Sequence, residues 1–407
     1  MQKLSSSSRR RILIAVGNYP PGYGGAGLRV HRSYLRLRDR LPLDLQAATV
    51  SGRGDMEGCT AFEGVPVFQT SADNGFFPQF FALGRLFFRS GRKRINLVHA
   101  LGQSGVATAA AAWALLLGIP VVRELTVNQP VKRSRHPIAV LRRLTFTRAK
   151  LVVALNAGLE RRLVETGVDP DKIWERPNPV DTTYFCRPDE AQRREARRSF
   201  GLDSEELLHL VLGRFCARKN QLFALDVLAR LPQDHRLLLL GPILRGDDDY
   251  LAAVRRRISE LSLEGRVILL PEHLEDTRRA YHAADCCWIP STYEGMPNVL
   301  LEALVCGLPV VTNQSLDLGE HVLDGINGFA RPLEPESFAN GADLAIDRLA
   351  DNVCAAKIAK ASAERYAAEK IDLEFARRLS QILGLAPGEA TVTGRDNAGR
   401  CTEGQRS

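Results

Sequence analysis

Short apolar runs recur along the first half of the chain, at Ile12–Val16, Leu45–Thr49, Leu97–Ala100, Pro120–Val122 and Leu151–Ala154. They read as strands buried on both faces of a parallel sheet. Amphipathic stretches between some of them, such as Gly27–Arg40 and Val106–Leu117, predict helices. This alternation points to an α/β doubly wound domain. The theme repeats further on, with strand patterns at Leu207–Leu212, Leu237–Leu240, Val267–Leu270, Cys286–Ile289 and Val310–Thr312. A last long helical pattern covers Lys357–Leu383.

A chain of 407 residues fits two such domains. The expected division is 1–186, a polar, arginine-rich linker at 187–205, a second domain at 206–365, and a C-terminal helix at 366–385 that crosses back to the first domain. The polar tail 386–407 is expected to be disordered. Ligands of open α/β sheets bind beyond the carboxyl ends of the strands, so the expected site is a cleft between two facing sheets. The uncharged segment Gly105–Val122 is broken by Gly118 and Pro120, and reads as a buried helix followed by a strand rather than a membrane span.

Composition narrows the function classes. Hydrophobic residues at 45% and charged residues at 25% are ordinary for a soluble protein. The net charge of +8 is concentrated in arginine clusters at Arg9–Arg11, Arg85–Arg94, Lys132–Arg148 and Arg193–Arg198. No nucleic-acid-reading motif accompanies them, so phosphate-bearing ligands or an anionic membrane surface are the better partners. The eight cysteines form no CxxC and no zinc-like pairing with histidine, and read as reduced cytosolic thiols. Three arginines and then only a short apolar run do not make a signal peptide, which suggests a cytoplasmic protein, peripheral to the inner face of the membrane if it touches one.

Two stretches carry the chemistry. The strand Leu207–Leu212 runs into Gly213-Arg214-Phe215-Cys216-Ala217-Arg218-Lys219-Asn220. Arg214 and Lys219 form either a diphosphate clamp or a basic, solvated loop, and the loop alone does not decide between them. The strand Cys286–Ile289 leads to Ser291-Thr292-Tyr293-Glu294-Gly295-Met296-Pro297-Asn298 and then to Val299-Leu300-Leu301-Glu302. Gly295 permits close backbone approach, and a helix starting near Asn298 would offer amides to a phosphate. Glu294 and Glu302 could accept hydrogen bonds from sugar and ribose hydroxyls.

The chain resembles the family 4 glycosyltransferases of the GT-B fold, over nearly its whole length to about Leu383. The family's Glu-x7-Glu motif matches Glu294 and Glu302, and its arginine–lysine pair matches Arg214 and Lys219. NPVDTTYF (Asn178–Phe185) and CGLPVVTN (Cys306–Asn313) also fit, whereas Asn178-Pro179 and SLDLGEHV (Ser315–Val322) depart from the usual pattern. The resemblance implies two Rossmann-like domains facing across a cleft. It also implies retaining transfer from a nucleoside diphosphate sugar, in polysaccharide or glycolipid synthesis, with no cofactor and no required metal. UDP is the favoured base, with GDP or ADP as alternatives, read by backbone groups around Pro271–Leu274. No DxD metal motif is evident, since Asp247-Asp248-Asp249 reads as a solvated surface loop. By this likeness Glu294, Gly295 and Met296 hold the donor sugar, Asn298, Val299 and Leu300 face sugar and phosphate, Glu302 holds ribose, and Arg214 and Lys219 stabilise the leaving diphosphate.

In the first half, Gly22, Gly24 and Gly27 form a literal GxGxxG, which raises the alternative of an NAD-dependent oxidoreductase. Pro20-Pro21 and the position of Asp44 at the start of its strand weigh against it. The family likeness instead gives Gly24 and Gly25 to the donor diphosphate and the acceptor. His99, at a strand end, and Glu124, expected after the next strand, are candidate contacts for a sugar or lipid-linked sugar acceptor. Phenylalanines at 76, 77, 80, 81, 87 and 88 interleave with Arg85, Arg89, Arg92, Lys93 and Arg94. That pattern suits either a helix on an anionic membrane or one packed into the core. A non-catalytic sugar-nucleotide-binding protein is the remaining alternative.

Overall fold

A computed structural model describes residues 9–385, except 23, 52–57, 72–74, 90–93, 128–134, 204, 245, 273, 275 and 350. The tail 386–407, Arg92 and Lys93 of the basic–aromatic segment, and His273 within Pro271–Leu274 therefore lie outside the described residues. These residues form two compact units. One runs to Pro179 and resumes at Ala368; the other is Val180–Ala367.

The first unit carries strands β1 (Arg10–Ala15), β2 (Leu43–Ser51), β3 (Gly58–Phe62), β4 (Val65–Ser71), β5 (Ile95–Leu101), β6 (Val121–Leu125), β7 (Leu151–Ala154) and β8 (Ile173–Glu175). Its helices are α1 (Gly25–Arg38), α2 (Phe76–Arg89), α3 (Gly105–Leu116), α4 (Pro137–Thr147) and α5 (Ala157–Thr166). The sheet order is β3-β4-β2-β1-β5-β6-β7-β8, parallel except for the β3–β4 pair. The apolar cores of the inner strands β1, β5 and β7 are Val-, Leu-, Ile- and Ala-rich and buried, as a sheet covered on both faces requires, whereas the edge strand β3 is exposed. Ser104 starts α3 by accepting the Ala107 amide, and Asn156 does the same for Leu159 at α5.

The second unit carries α6 (Glu190–Ser199), β9 (Leu207–Leu212), α7 (Gln221–Leu228), β10 (His235–Leu240), α8 (Asp248–Glu260), β11 (Val267–Leu270), α9 (Arg278–Ala283), β12 (Cys286–Ile289), α10 (Asn298–Val305), β13 (Val310–Asn313), β14 (Gly328–Arg331), α11 (Pro335–Leu349) and α12 (Asn352–Tyr366). The six strands are all parallel, in the order β11-β10-β9-β12-β13-β14. The order reverses at β9, whose neighbours β10 and β12 lead away on opposite sides. The carboxyl edge between β9 and β12 is therefore the switch point at which open α/β sheets bind ligands.

Several sequence expectations are corrected. The pattern Lys357–Leu383 is two helices, α12 and α13 (Ala368–Leu383), separated at Ala367, where the backbone turns extended (φ −51°, ψ 123°). Helix α13 belongs to the first unit: Asp372 accepts hydrogen bonds from Ser33 Oγ (2.9 Å) and Arg36 Nε (2.5 Å) of α1. Residues 187–205 are not a bare linker. They contain α6, which starts in a capping box at Asp189 and Gln192. Arg193 and Arg197 fasten that helix to Asp285 and to the carbonyls of residues 282–284.

Helix α2 packs some of its phenylalanines into the fold and exposes others, on different faces. Phe80 stacks on Trp113 of α3 with centroids 4.9 Å apart, and the Trp113 indole donates to the Phe80 carbonyl (2.7 Å). Gly84 leaves room for the same tryptophan, because a Cβ there would lie 2.7 Å from its ring. Phe77, Phe81 and Phe88 point outward, at 61%, 62% and 67% exposure. Their spacing of four and seven residues puts them on one stripe of the helix.

Candidate active site

The crevice at β9 and β12 is built by backbone before any charge enters it. Gly213 follows β9 at φ +155° and Gly241 follows β10 at φ +151°. A Cβ on Gly241 would stand 2.2 Å from the Gly213 carbonyl oxygen, so the two loops approach as closely as they do only because Gly241 has no side chain. The β9 loop is then tied to the β12 loop. The Thr292 amide donates to the Arg218 carbonyl (2.9 Å), and Asn220, in a left-handed conformation at the start of α7, donates to the Pro290 carbonyl (3.3 Å). Asn313, the last residue of CGLPVVTN, holds the Ser291 carbonyl from the other side (3.0 Å).

These ties bring Glu294 against two cations. Lys219 Nζ lies 2.8 Å and Arg218 Nη1 lies 2.6 Å from the same oxygen, Oε1. Glu294 is only 8% exposed. Burial pushes its carboxyl up, but Lys219 and Arg218 outweigh burial and hold it below the ordinary carboxylate value. It is therefore a hydrogen-bond acceptor at neutral pH and a poor proton donor.

Arg214 is held differently. Its Nε and Nη2 donate to the two carboxylate oxygens of Asp247 at 2.5 and 2.8 Å. This corrects the reading of residues 247–249 as a solvated loop: Asp247 is 7% exposed and precedes α8, and Asp248 and Asp249 begin that helix. The hydrogen bonds from Arg214 lower the Asp247 pKa below its ordinary value, against the opposing effect of burial.

In α10, Glu302 accepts a 2.6 Å hydrogen bond from the Tyr281 hydroxyl, which reaches it from α9. Gly295 and Met296 are buried in the turn before α10, and Asn298 and Val299 open the helix with partial exposure. Leu300 departs from its expected place. Its side chain is fully buried and its amide donates to the Pro297 carbonyl (3.1 Å), so neither is turned to the crevice.

In the first unit, Gly24 caps α1 and Gly25 is its first residue. A Cβ on Gly27 would meet the Asn18 carbonyl at 2.1 Å, so this glycine serves the packing of α1 on the loop after β1. Asp44 pairs with Arg11 at the start of β2 (2.6 Å), away from the strand end where a ribose-binding acid of a dinucleotide site belongs. His99 lies inside β5 rather than at its end, and Glu124 lies inside β6, which extends three residues beyond Val122. Both are fully buried. Glu124 takes Arg29 on one oxygen and Arg176 (2.8 Å) on the other, with His99 3.6 Å away. Burial raises the Glu124 pKa, but the two arginines overcome it and drive the value far down. Phe375 of α13 closes this cluster against His99 and the Arg176 guanidinium. The structure thus gives His99 and Glu124 to an interior charge network rather than to an exposed acceptor surface.

Sequence reasoning missed Arg218, Asp247 and Tyr281. Arg218 was visible beside Lys219 in the same loop. An acid after β10, the strand next to β9, was a signal for Asp247. Tyr281 had none, since only the packing of α9 on α10 brings it to Glu302. Among the described residues, no helix is long and apolar enough to cross a membrane.

Residues 9–179 match the family model described as glycosyl transferase 4-like domain, and residues 207–348 match that described as glycosyl transferases group 1. The D-inositol 3-phosphate glycosyltransferase of Mycobacterium sp. (strain JLS) is 33% identical over 182 residues, a stretch spanning 44% of this chain and 40% of that relative. In fold, the chain is similar to the HepE protein of Anabaena, solved with UDP, at a TM-score of 0.76 and 21% identity over 92% of this chain and 100% of HepE. HepE has also been solved with UDP-glucose. Sucrose-phosphate synthase of Thermosynechococcus elongatus gives a TM-score of 0.77 at 18% identity, over 93% of this chain and 100% of that one. With one glycosyltransferase model on each parallel-sheet unit and this fold throughout, the chain belongs to the family 4 type of glycosyltransferases with the GT-B fold.

Proposed function

We propose that the protein transfers a sugar, with retention, from a nucleoside diphosphate sugar to a hydroxyl of a sugar or lipid-linked acceptor. The bond from the anomeric carbon to the diphosphate oxygen breaks and a bond to the acceptor oxygen forms. The hydroxyl proton passes to the departing phosphate. The observation that carries this reading is the meeting of Lys219 and Arg218 with Glu294 at the switch point of the second sheet, beside Arg214. Cations fixed there stabilise the charge that grows on a leaving diphosphate, an effect of several kcal/mol. Glu294, kept ionised, orients donor hydroxyls, and Glu302, steadied by Tyr281, does the same for ribose.

UDP is the first nucleotide to test, given the UDP and UDP-glucose complexes of HepE. A thermal-shift comparison of UDP, GDP and ADP tests the pocket, because a ligand bound only to the folded state raises its apparent stability. No shift with any of them would refute the reading.

The outward phenylalanine stripe of α2, with Arg85 exposed on the same helix, fits an amphipathic surface resting on an anionic bilayer. This supports a lipid-linked acceptor as the second substrate.

A further inference from the structure

We infer that Asp247 is a positioning residue that aims the Arg214 guanidinium at the donor's diphosphate; this rests on the functional reading above. An exposed ion pair would carry no such weight, since surface pairs contribute little and hold no fixed geometry. This one differs in three respects. The contact is two-pronged, Nε and Nη2 each donating to a separate oxygen, so it fixes the plane of the guanidinium as well as its distance. The carboxylate is itself fixed: its Oδ2 also accepts the Leu244 amide (3.2 Å), and the Asp247 carbonyl accepts the Leu251 amide as α8 begins (3.1 Å). And the loop that carries Asp247 is docked on the loop that carries Arg214, through the Gly213–Gly241 approach and a hydrogen bond from the Phe215 amide to the Pro242 carbonyl (3.1 Å).

A negative charge so close to an arginine meant for phosphate weakens the local field, which a loop selected only for anion affinity would avoid. Its benefit is geometric. Arginine carries several rotatable bonds, and immobilising such a side chain on binding is costly; an edge already held by Asp247 has met that cost in the folded protein. With one edge of the fork pinned, the direction of the remaining donors is set by the protein rather than by the ligand.

The test is a double-mutant cycle read by calorimetric affinity for whichever of UDP, GDP and ADP binds the wild-type chain most tightly. Asp247→Asn, nearly the same shape, is expected to weaken binding by about tenfold, as the loss of a charged hydrogen-bond pair does. Asp247→Glu keeps the charge but displaces it, and is expected to fall between. In an Arg214→Ala background, Asp247→Asn is expected to change affinity less than about twofold, because the group it aims is gone. A role in loop stability alone would give the same loss in both backgrounds, and that result, or wild-type affinity in Asp247→Asn, would overturn the inference while leaving the functional reading intact. If no nucleotide binds the wild type, or Arg214→Ala binds as well as wild type, the functional reading itself fails.

Discussion

Lys219 Nζ stands 2.8 Å from Glu294 Oε1 and joins the loop after β9 to the loop after β12. Arg218 reaches the same oxygen, so one nearly buried carboxylate answers two cations. The arrangement is unsymmetrical, and so are its consequences. Glu294→Gln leaves two cations facing each other without a counter-charge, whereas Lys219→Met leaves Glu294 paired with Arg218. Breaking a buried pair by removing the shared partner costs about 3 kcal/mol, while losing one of two cations is expected to cost about 1 kcal/mol. Denaturant unfolding of the two variants checks this; equal losses would show that the pairing is not shared as drawn.

Gly241 is where the loop after β10 comes against the backbone of the loop after β9. Gly241→Ala puts a methyl group 2.2 Å from the Gly213 carbonyl oxygen at a backbone conformation (φ +151°) that alanine rarely adopts. The expected outcome is a loss of about 2 kcal/mol or more in unfolding free energy, with weaker nucleotide binding because the Asp247 loop is displaced. Gly246→Ala, also at positive φ but with open space around it, is the comparison that separates strain from collision.

Acid destabilisation should set in early, and histidines set the window. Burial, with help from Arg365, pulls the His321 pKa down to about 4, and burial likewise lowers His209 and His235, which share a 2.8 Å hydrogen bond beneath Trp288. Each binds a proton more readily when unfolded, so its contribution is complete above about 6.5 and is lost as pH falls toward the folded value. His321 alone represents roughly 3 kcal/mol across that span. The depressed carboxylates Glu294 and Asp247 act in the same sense but only below the ordinary carboxylate range, so they do not mask it. Unfolding midpoints at pH 7.5, 6 and 5 should fall steadily; a flat profile would contradict the buried neutral state of these rings.

The α2 stripe yields a prediction read by vesicle binding rather than by stability. Replacing Phe77, Phe81 and Phe88 together by serine removes largely exposed rings, of which Phe88 also meets Trp113 edge-on at 5.6 Å, so the melting temperature should fall only slightly while sedimentation with anionic vesicles is lost. Binding that survives the triple substitution would place membrane contact elsewhere or nowhere.

Most of the strand framework was legible because a parallel sheet buried on both faces demands unbroken apolar runs, and those runs stand out at β1, β5, β7, β9, β10 and β12. The ends were less so. Arg123 and Glu124 look like loop residues by polarity, yet β6 continues through them because each finds partners inside the fold: Arg123 donates to the Gly102 and Ala107 carbonyls, and Glu124 takes two arginines. The break at Ala367 lies within a continuous helical periodicity and is marked by neither glycine nor proline. At the site, Glu294 and Lys219 could be read because each lies in a loop with its own local signals. Asp247 left a fainter signal, an acid after β10, since its partner lies 33 residues away and only the β9–β10 pairing brings the two near.

In the proposed reaction the cations of the β9 loop stabilise a departing diphosphate. The most direct test is the rate at which nucleotide is released from UDP-, GDP- and ADP-sugars by the wild-type chain and by Lys219→Ala. The wild type is expected to release nucleotide from one of these donors, and Lys219→Ala to do so at least about 100-fold more slowly while remaining folded. A Lys219→Ala rate equal to that of the wild type would rule out leaving-group stabilisation by Lys219.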